Sequence, residues 1–260
     1  MAINWILESV DQSPSTNEDL MARWRASQLW EPIARKASTQ TSGKGRLGRS
    51  WISHPHQALT FSVAYPFKKN ISELSGLSLA CGLAVIKGIS QASGISHEDL
   101  KKLGLGLKWP NDIFFNGKKL AGMLLEGGQL NSTQSTWIVV GIGINLTANE
   151  DLEKSIERPI ASLDQLSQLK TIDSDVLWLA ILKELAEVIE LFEQDSFAQF
   201  QAEWNSWDVY KNKTCAIIHN EQIQYEGFER GVDDQGHLLI ESDNRMQKII
   251  SGEVSLKEKA

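Results

Sequence analysis

Apolar and polar positions divide the chain into elements. Leu59, Phe61, Val63 and Tyr65 alternate with smaller residues at period two, the spacing of a strand. A shorter strand is expected over Trp5 to Val10. Ser15 stands three residues before Glu18, a spacing at which the hydroxyl accepts from a free amide and the carboxylate reaches back. A helix through Leu20, Met21 and Trp24 should follow. Leu74 to Ile89 is apolar and rich in small residues, which predicts a helix buried on most of its surface and weakened by Gly82 and Gly88. Leu105 to Trp109 is extended, Ile113-Phe114-Phe115 is a strand, Asn116-Gly117 supplies a type I′ turn, and Lys119 to Glu126 returns as the partner strand. Trp137 to Leu146 is a third strong strand, with Gly141 and Gly143 on one face.

Ser174 opens a long amphipathic helix whose apolar stripe is Trp178, Ile181, Leu182, Leu185, Ile189 and Phe192. Phe197, Phe200, Trp204 and Trp207 repeat that spacing in a second helix. After Tyr210 the pattern changes to short strand-like runs: Thr214 to His219, Ile223 to Arg230, His237 to Glu241 and Gln247 to Ser251. Polar turns separate them, as in a small antiparallel barrel of about 50 residues. The expected organisation is therefore a larger unit, 1–209, followed by a barrel, 210–260.

Composition narrows the class. The 260 residues are 42% hydrophobic and 23% charged, ordinary for a globular chain. A net charge of -7 argues against a broad nucleic-acid face. Nine tryptophans point to a substantial core or an aromatic-lined pocket. Cys81 and Cys215 lie far apart with no metal-ligand spacing, so no zinc site is expected and a reducing compartment fits. The N-terminus lacks a signal-peptide pattern, and no apolar run reaches the roughly 18 residues of a membrane span. The expectation is a cytoplasmic protein without membrane contact.

Against this acidic background, Ser38 to Trp51 stands out. Gly43, Gly45 and Gly48 alternate with Lys44, Arg46 and Arg49, and Trp51 closes the stretch. Glycine lets a backbone approach a ligand closely, and the cations suit phosphate or carboxylate oxygens. The pattern reads as a mobile, basic, polar loop. Lys108 follows an apolar strand and precedes the Trp109-Pro110-Asn111-Asp112 turn, a place from which an ammonium can reach a ligand anion. Asn145 ends the glycine-bearing strand with a carboxamide that donates and accepts, as an adenine edge requires.

Taken in order, these segments resemble the biotin–protein ligases. The resemblance rests on Ser15-Thr16-Asn17, the loop Gly43 to Trp51, Lys108-Trp109-Pro110-Asn111-Asp112, Lys119-Leu120-Ala121-Gly122, Gly141-Ile142-Gly143-Ile144-Asn145 and Gly252-Glu253-Val254-Ser255-Leu256, and it spans nearly the whole chain. It implies an α+β fold: a mixed sheet with helices, related to class II aminoacyl-tRNA synthetases, then a small SH3-like barrel. It also implies a reaction. Biotin's carboxylate attacks the α-phosphate of ATP, with Mg²⁺ on the phosphates, to give biotinyl-5′-AMP. A lysine of the biotin carboxyl carrier protein of acetyl-CoA carboxylase then takes the biotin.

By the same resemblance, Ser15, Thr16 and Asn17 would bind the ureido ring and Gln40 would contact biotin. Lys44, Gly45 and Arg46 would lie along the valerate and phosphate. Lys108 would bridge carboxylate and α-phosphate, and with Arg46 would be catalytic. Gly141 and Gly143 would let the bicyclic ring lie on the sheet. Arg49, Trp51 and Asn145 would serve the nucleotide. The loop would act as a lid, poorly ordered until it closes over the adenylate. The family loop commonly carries arginine where Lys44 and Leu47 stand, so this lid is less cationic. Some members carry an N-terminal DNA-binding domain. Here the catalytic part starts within about fifteen residues of Met1, which implies the monofunctional type. A homodimer stays open. The alternatives are a lipoate–protein ligase and a non-catalytic biotin-binding sensor.

Overall fold

Two long strands form the centre of the molecule. Strand β3 (Ala58–Phe67) pairs antiparallel with β7 (Thr136–Asn145) in unbroken register from Ala58↔Asn145 to Phe67↔Thr136. On one side β2 (Ile33–Gln40) pairs antiparallel with β3, and β1 (Ile6–Ser13) runs parallel to β2. On the other side come β6 (Lys118–Gly128), β5 (Asp112–Phe115) and β4 (Leu105–Lys108), all antiparallel. The result is a seven-stranded mixed sheet in the order β1-β2-β3-β7-β6-β5-β4. The computed structural model describes residues 3–130, 135–147, 160–166, 172–219, 222–243, 245–250 and 255–258. Gly252 to Val254 of the last resembling segment lie outside them.

Strand alternation gives the sheet two unlike faces. Phe61, Val63, Met123, Val140 and Ile142 point into the large core, which is closed by helices α2 (Leu77–Ser93) and α4 (Ser174–Asp195). All six predicted stripe residues of α4 are buried. Burial of each such side chain stabilises by about 1.5–3 kcal/mol. Ile33, Ala64 and Val139 point the other way and pack on Leu20 and Met21 of α1 (Thr16–Arg25). Helices α3 (His97–Lys102) and α5 (Gln201–Trp207) complete the described set. No helix among the described residues is long and apolar enough to cross a membrane.

The second sheet is antiparallel and five-stranded, in the order β11-β10-β9-β8-β12. Its strands are β8 (Thr214–His219), β9 (Gln222–Val232), β10 (Leu238–Ser242), β11 (Arg245–Ile249) and β12 (Ser255–Glu258). The turn between β9 and β10 docks on the first unit. Buried Trp109 donates its indole N–H to the Gly236 carbonyl at 3.1 Å, and Ser75 donates to the Gln235 carbonyl at 2.8 Å. That turn is wound around Asp233, whose carboxylate accepts from the backbone N–H groups of Gln235 and His237 and pairs with Lys248 at 2.7 Å. Burial alone would raise the Asp233 pKa; Lys248 and the turn amides outweigh it and hold the pKa at about 2.

The α+β class and mixed sheet agree with the sequence, and four details differ. Ser38 to Gln40, read as loop, end strand β2. Strand β2, helix α3 and strand β12 have no counterpart in the sequence pattern. In β2 the charges of Arg35 and Lys36 interrupt the alternation, and the sheet around them decides the conformation. Gly82 and Gly88 mark close packing: a methyl group on Gly88 would come within 2.5 Å of Ile181 on α4, and one on Gly82 within 3.0 Å of Leu107. Finally, Ser15 caps α1 by accepting from the Glu18 amide at 3.4 Å, but the Glu18 carboxylate turns outward to Arg25 and Lys44.

Candidate active site

The register places glycines side by side in the middle of the sheet. Gly143 on β7 faces Gly122 on β6, and the row runs on to Thr60 and Ala37 in one direction and to Asp112 and Lys108 in the other. Gly141 stands in the neighbouring row, between Ser62 and Leu124. Directly paired residues point to the same face, so Gly122, Gly141 and Gly143 together leave a patch of bare backbone on the α1 side. It is a floor with no side chains of its own.

Three groups from other elements stand on it. The Trp51 indole lies over Gly143, where a methyl group would come within 2.3 Å of its Cε2. The Asn17 carboxamide lies over Gly141, with Oδ1 2.7 Å from the place of a methyl group. The Lys119 ammonium reaches over Gly122, pairs with Asp112 at 2.6 Å and lies 5.8 Å from the Trp51 ring centre. Asn17 donates to Glu126 at 2.5 Å, while its Oδ1 is buried without a hydrogen-bond partner; so is the Trp51 Nε1. A buried donor or acceptor left unmatched costs about 1–3 kcal/mol. An acceptor and a donor left in that state over a bare floor are suited to a polar ligand.

The first turn of α1 forms one wall. Thr16 donates through both its backbone N–H (2.7 Å) and its hydroxyl (3.1 Å) to Gln40 Oε1, and its hydroxyl meets that of Ser62 at 2.8 Å. Ser15, Thr16 and Asn17 are all buried. Gln40 in turn packs on Gly43, where a methyl group would sit 3.0 Å from its Nε2 and 2.4 Å from the Trp51 carbonyl.

The basic loop is a tight hairpin. Trp51 N–H donates to Gly43 at 2.8 Å and Gly45 N–H to Arg49 at 2.7 Å. A 3-10 turn over Arg46–Gly48 forms the tip, with Leu47 in the left-handed region at φ 57°. Only one of its three cations turns inward. Arg46 donates to Asn111 Oδ1 at 3.1 Å, and Asn111 donates to the Met123 carbonyl at 2.6 Å, which ties loop to sheet. Burial lowers the Arg46 pKa, Asp112 opposes that, and Arg49 adds to it. Lys44 pairs with Glu18 at 2.5 Å on the surface, and Arg49 and Leu47 are exposed.

Two further placements refine the sequence reading. Lys108 lies at the far end of the glycine row, with its ammonium 4.7 Å from the Phe114 ring centre and 5.5 Å from that of Tyr210. Asn145 is buried and uses its Nδ2 on the backbone, donating to Ala161 at 2.9 Å and Lys119 at 3.4 Å. Next to it, Leu146, Thr147, Ala58, Lys36 and His56 help line a cavity of about 280 Å³. Gly122, Asn111, Asp112, Glu126 and above all Lys119 are site residues to which the sequence pattern assigns no role. Lys119 and Gly122 lie within one resembling segment, and the type I′ hairpin that folds β6 back on β5 was the signal that could have brought them to the floor. Among the described residues no group of three His, Cys, Asp or Glu side chains is gathered as for a metal ion.

Residues 9–145, which carry the whole floor and loop, match the biotin/lipoate A/B protein ligase family. The chain belongs to that family. Residues 212–257 of this ligase family member also match the biotin protein ligase C terminal domain. It is 32% identical to the bifunctional ligase/repressor BirA of Escherichia coli over 94% of this chain and 71% of that protein. It is 28% identical to the biotin–[acetyl-CoA-carboxylase] ligase of Mycobacterium tuberculosis over 95% of this chain and 88% of the other. Its fold is similar to that of the Aquifex aeolicus biotin protein ligase in complex with biotin and ATP, at TM-score 0.77, 29% identity, and coverage of 98% of this chain and 99% of that one.

Proposed function

We propose that this member of the family is a biotin–protein ligase: it joins biotin to ATP, forming biotinyl-5′-AMP and pyrophosphate, and passes the biotinyl group to a carrier lysine. The observation that carries the reading is the glycine floor, walled by Ser15, Thr16, Asn17 and Gln40 and faced by Arg46 and Lys119. A fused bicyclic ring is flat enough to lie on bare backbone, and its ureido N–H and C=O answer the unmatched Asn17 oxygen and the hydroxyls beside it.

The chemistry brings two anions together, a carboxylate and an α-phosphate. Their repulsion must be offset by fixed cations in a place from which water is kept out. Arg46 and Lys119 hold charge at the floor, and Lys108 extends it along the row towards the phosphate end. Lys119 thus shares the bridging role expected of Lys108. Trp51 covers Gly143, so substrate entry moves the indole aside, towards the adenine near Asn145. Gly45 and Lys44 follow as the loop closes, and Arg49 turns inward onto the phosphates. Asp112, a carboxylate at the floor, would hold a Mg²⁺ that arrives with the triphosphate. That ion would neutralise charge on the leaving pyrophosphate.

The acceptor in this reading is the biotin carboxyl carrier protein of acetyl-CoA carboxylase, and the compartment is the cytoplasm; a relative named biotin–[acetyl-CoA-carboxylase] ligase supports the choice of acceptor. In this reading residues 1–209 activate biotin and 210–260 form the accessory barrel. The test is incubation with biotin, ATP, Mg²⁺ and a biotin carboxyl carrier domain, followed by intact-mass measurement. The expected result is one biotinyl addition on the carrier, lost in Lys119→Met. Biotin binding with no addition and no pyrophosphate would make the protein a sensor.

A further inference from the structure

The joint between the two units holds a pair of acids that the proposed chemistry does not use. Asp208 follows α5, where the chain runs alongside the outer edge of β4; Val209 N–H donates to the Leu107 carbonyl at 3.0 Å. Gly106 permits this approach, since a methyl group there would come within 2.4 Å of Val209. Glu229 lies on β9, fully buried at 0% exposure. Its Oε1 accepts from the Gly231 N–H, and Asp208 Oδ1 accepts from the Tyr210 N–H at 2.9 Å. The remaining oxygens, Asp208 Oδ2 and Glu229 Oε2, are buried and receive no donor from any other group.

Two carboxyl groups facing each other in this way cannot both be ionised. One proton between them turns two unmatched acceptors into a hydrogen bond. Burial raises the pKa of both, and Asp208 adds to the rise at Glu229, which is pushed up to about 9. The charged groups around the pair do not replace the proton. Lys211 donates to the Asn205 carbonyl at 3.4 Å, Lys213 lies over the Tyr210 ring at 5.6 Å, and Arg230 on β9 pairs with Glu241 at 2.7 Å.

The Asp208 carboxylate and the β9 backbone at Glu229 pin a short segment at its two ends, and the carboxyl pair ties those ends together. Tyr210 N–H is held by Asp208, and Asn212 and Lys213 are held by the Glu229 backbone at 2.8 and 3.0 Å. Between them projects the Tyr210 ring, which packs edge-on against Phe114 and lies under the Lys108 ammonium. We propose that Asp208 and Glu229, sharing one proton, are positioning residues that set Tyr210 beneath Lys108 and so couple the barrel to the phosphate end of the site. This rests on the role given to Lys108 above.

The test compares Glu229→Gln, Glu229→Ala and Tyr210→Leu in the full chain, by biotin-dependent pyrophosphate release from pH 6 to 10 and by infrared spectroscopy. A glutamine amide donates to Asp208 as the shared proton does, so Glu229→Gln should keep kcat near pH 7 within about twofold. It should also lack the fall in rate that wild type shows as pH rises through about 9. Glu229→Ala and Tyr210→Leu should lower kcat about tenfold with the KM for biotin unchanged. Wild type at pH 7 should show the carbonyl stretch of a protonated carboxyl group, absent from Glu229→Gln. The spectrum needs no turnover. An inactive wild type that shows the band would therefore overturn the ligase reading and leave the shared proton standing. A band unchanged in Glu229→Gln would overturn the shared proton. Identical pH profiles in wild type and Glu229→Gln, or full activity in Tyr210→Leu, would overturn the positioning role. If Glu229→Ala does not fold, Tyr210→Leu and the spectrum decide.

Discussion

The two faces of the seven-stranded sheet are made by the same strands and obey opposite rules. On the helical face Phe61, Val63, Val140 and Ile142 interlock with α2 and α4, and even a glycine there, Gly88, is a contact point. On the other face Gly122, Gly141 and Gly143 add no side chain of their own and are covered only by the movable ends of Lys119, Asn17 and Trp51. Glycine in a strand costs conformational entropy and buries no side chain, so a run of three at the centre of a sheet weakens it. The helical face supplies the stability that lets the opposite face stay bare. Mutations on the two faces should therefore separate: stability without function on one, function without stability on the other.

Phe61→Ala should show the first half of that separation most strongly. The side chain is buried against Trp178, and its loss should destabilise by about 3–5 kcal/mol. Urea denaturation should register the change while the KM for biotin stays within twofold. Gly143→Leu should show the converse. A branched side chain occupies the place of the indole and of any ligand, so adenylate formation should fall by roughly 100- to 1000-fold, with a smaller loss of stability than in Phe61→Ala. If Gly143→Leu turned over normally, the floor would not be the substrate site. Lys119→Met keeps the length of the stem and removes the charge; pyrophosphate release should drop about 100-fold, mainly in kcat. Lys44→Met, whose ammonium pairs with Glu18 on the surface, should change the rate far less in the same assay.

The smallest effect is expected at the loop tip. Leu47 adopts a left-handed conformation at φ 57°, which costs a non-glycine residue about 1–2 kcal/mol. Leu47→Gly should relieve most of that locally, and slower proteolysis between Gly43 and Trp51 should report it. Acidification offers a control in the barrel. Asp233 has its pKa held at about 2, so its contribution is present above the ordinary carboxylate range and is lost as pH falls through 2. Asp233→Asn should flatten that part of the acid unfolding curve. Glu229 acts in the opposite sense. Between the ordinary carboxyl range and about 9 the folded chain keeps a proton that the unfolded chain has released, so stability falls as pH rises through that window.

Much of this division can be read from the sequence where a side chain's own spacing decides its place. The stripe on α4, the Asn116-Gly117 hairpin with both residues at positive φ, and the cap at Ser15 are local patterns, and each is where its spacing put it. Gly141 and Gly143 were visible as a same-face pair. Their partner Gly122 was not, because it joins them only through the β6–β7 register, a long-range fact. Lys119 is different: the Asn116-Gly117 hairpin carries it back to Asp112, but a lysine just after a turn reads as an ordinary exposed cation. Alternation in β2 was masked by Arg35 and Lys36, which turn to ion pairs with Glu8, Asp19 and Asp175 from other elements. The loop's composition marked it as basic, but composition does not tell which cation turns inward. Asn111 decides that, by accepting from Arg46.

The central claim, that the bare floor receives biotin and activates it, is met most directly by isotope exchange between pyrophosphate and ATP in the wild-type protein with biotin or lipoate as the added acid. Exchange that depends on biotin and is absent with lipoate is the predicted result. Exchange with lipoate alone, or biotin binding without any exchange, would contradict it.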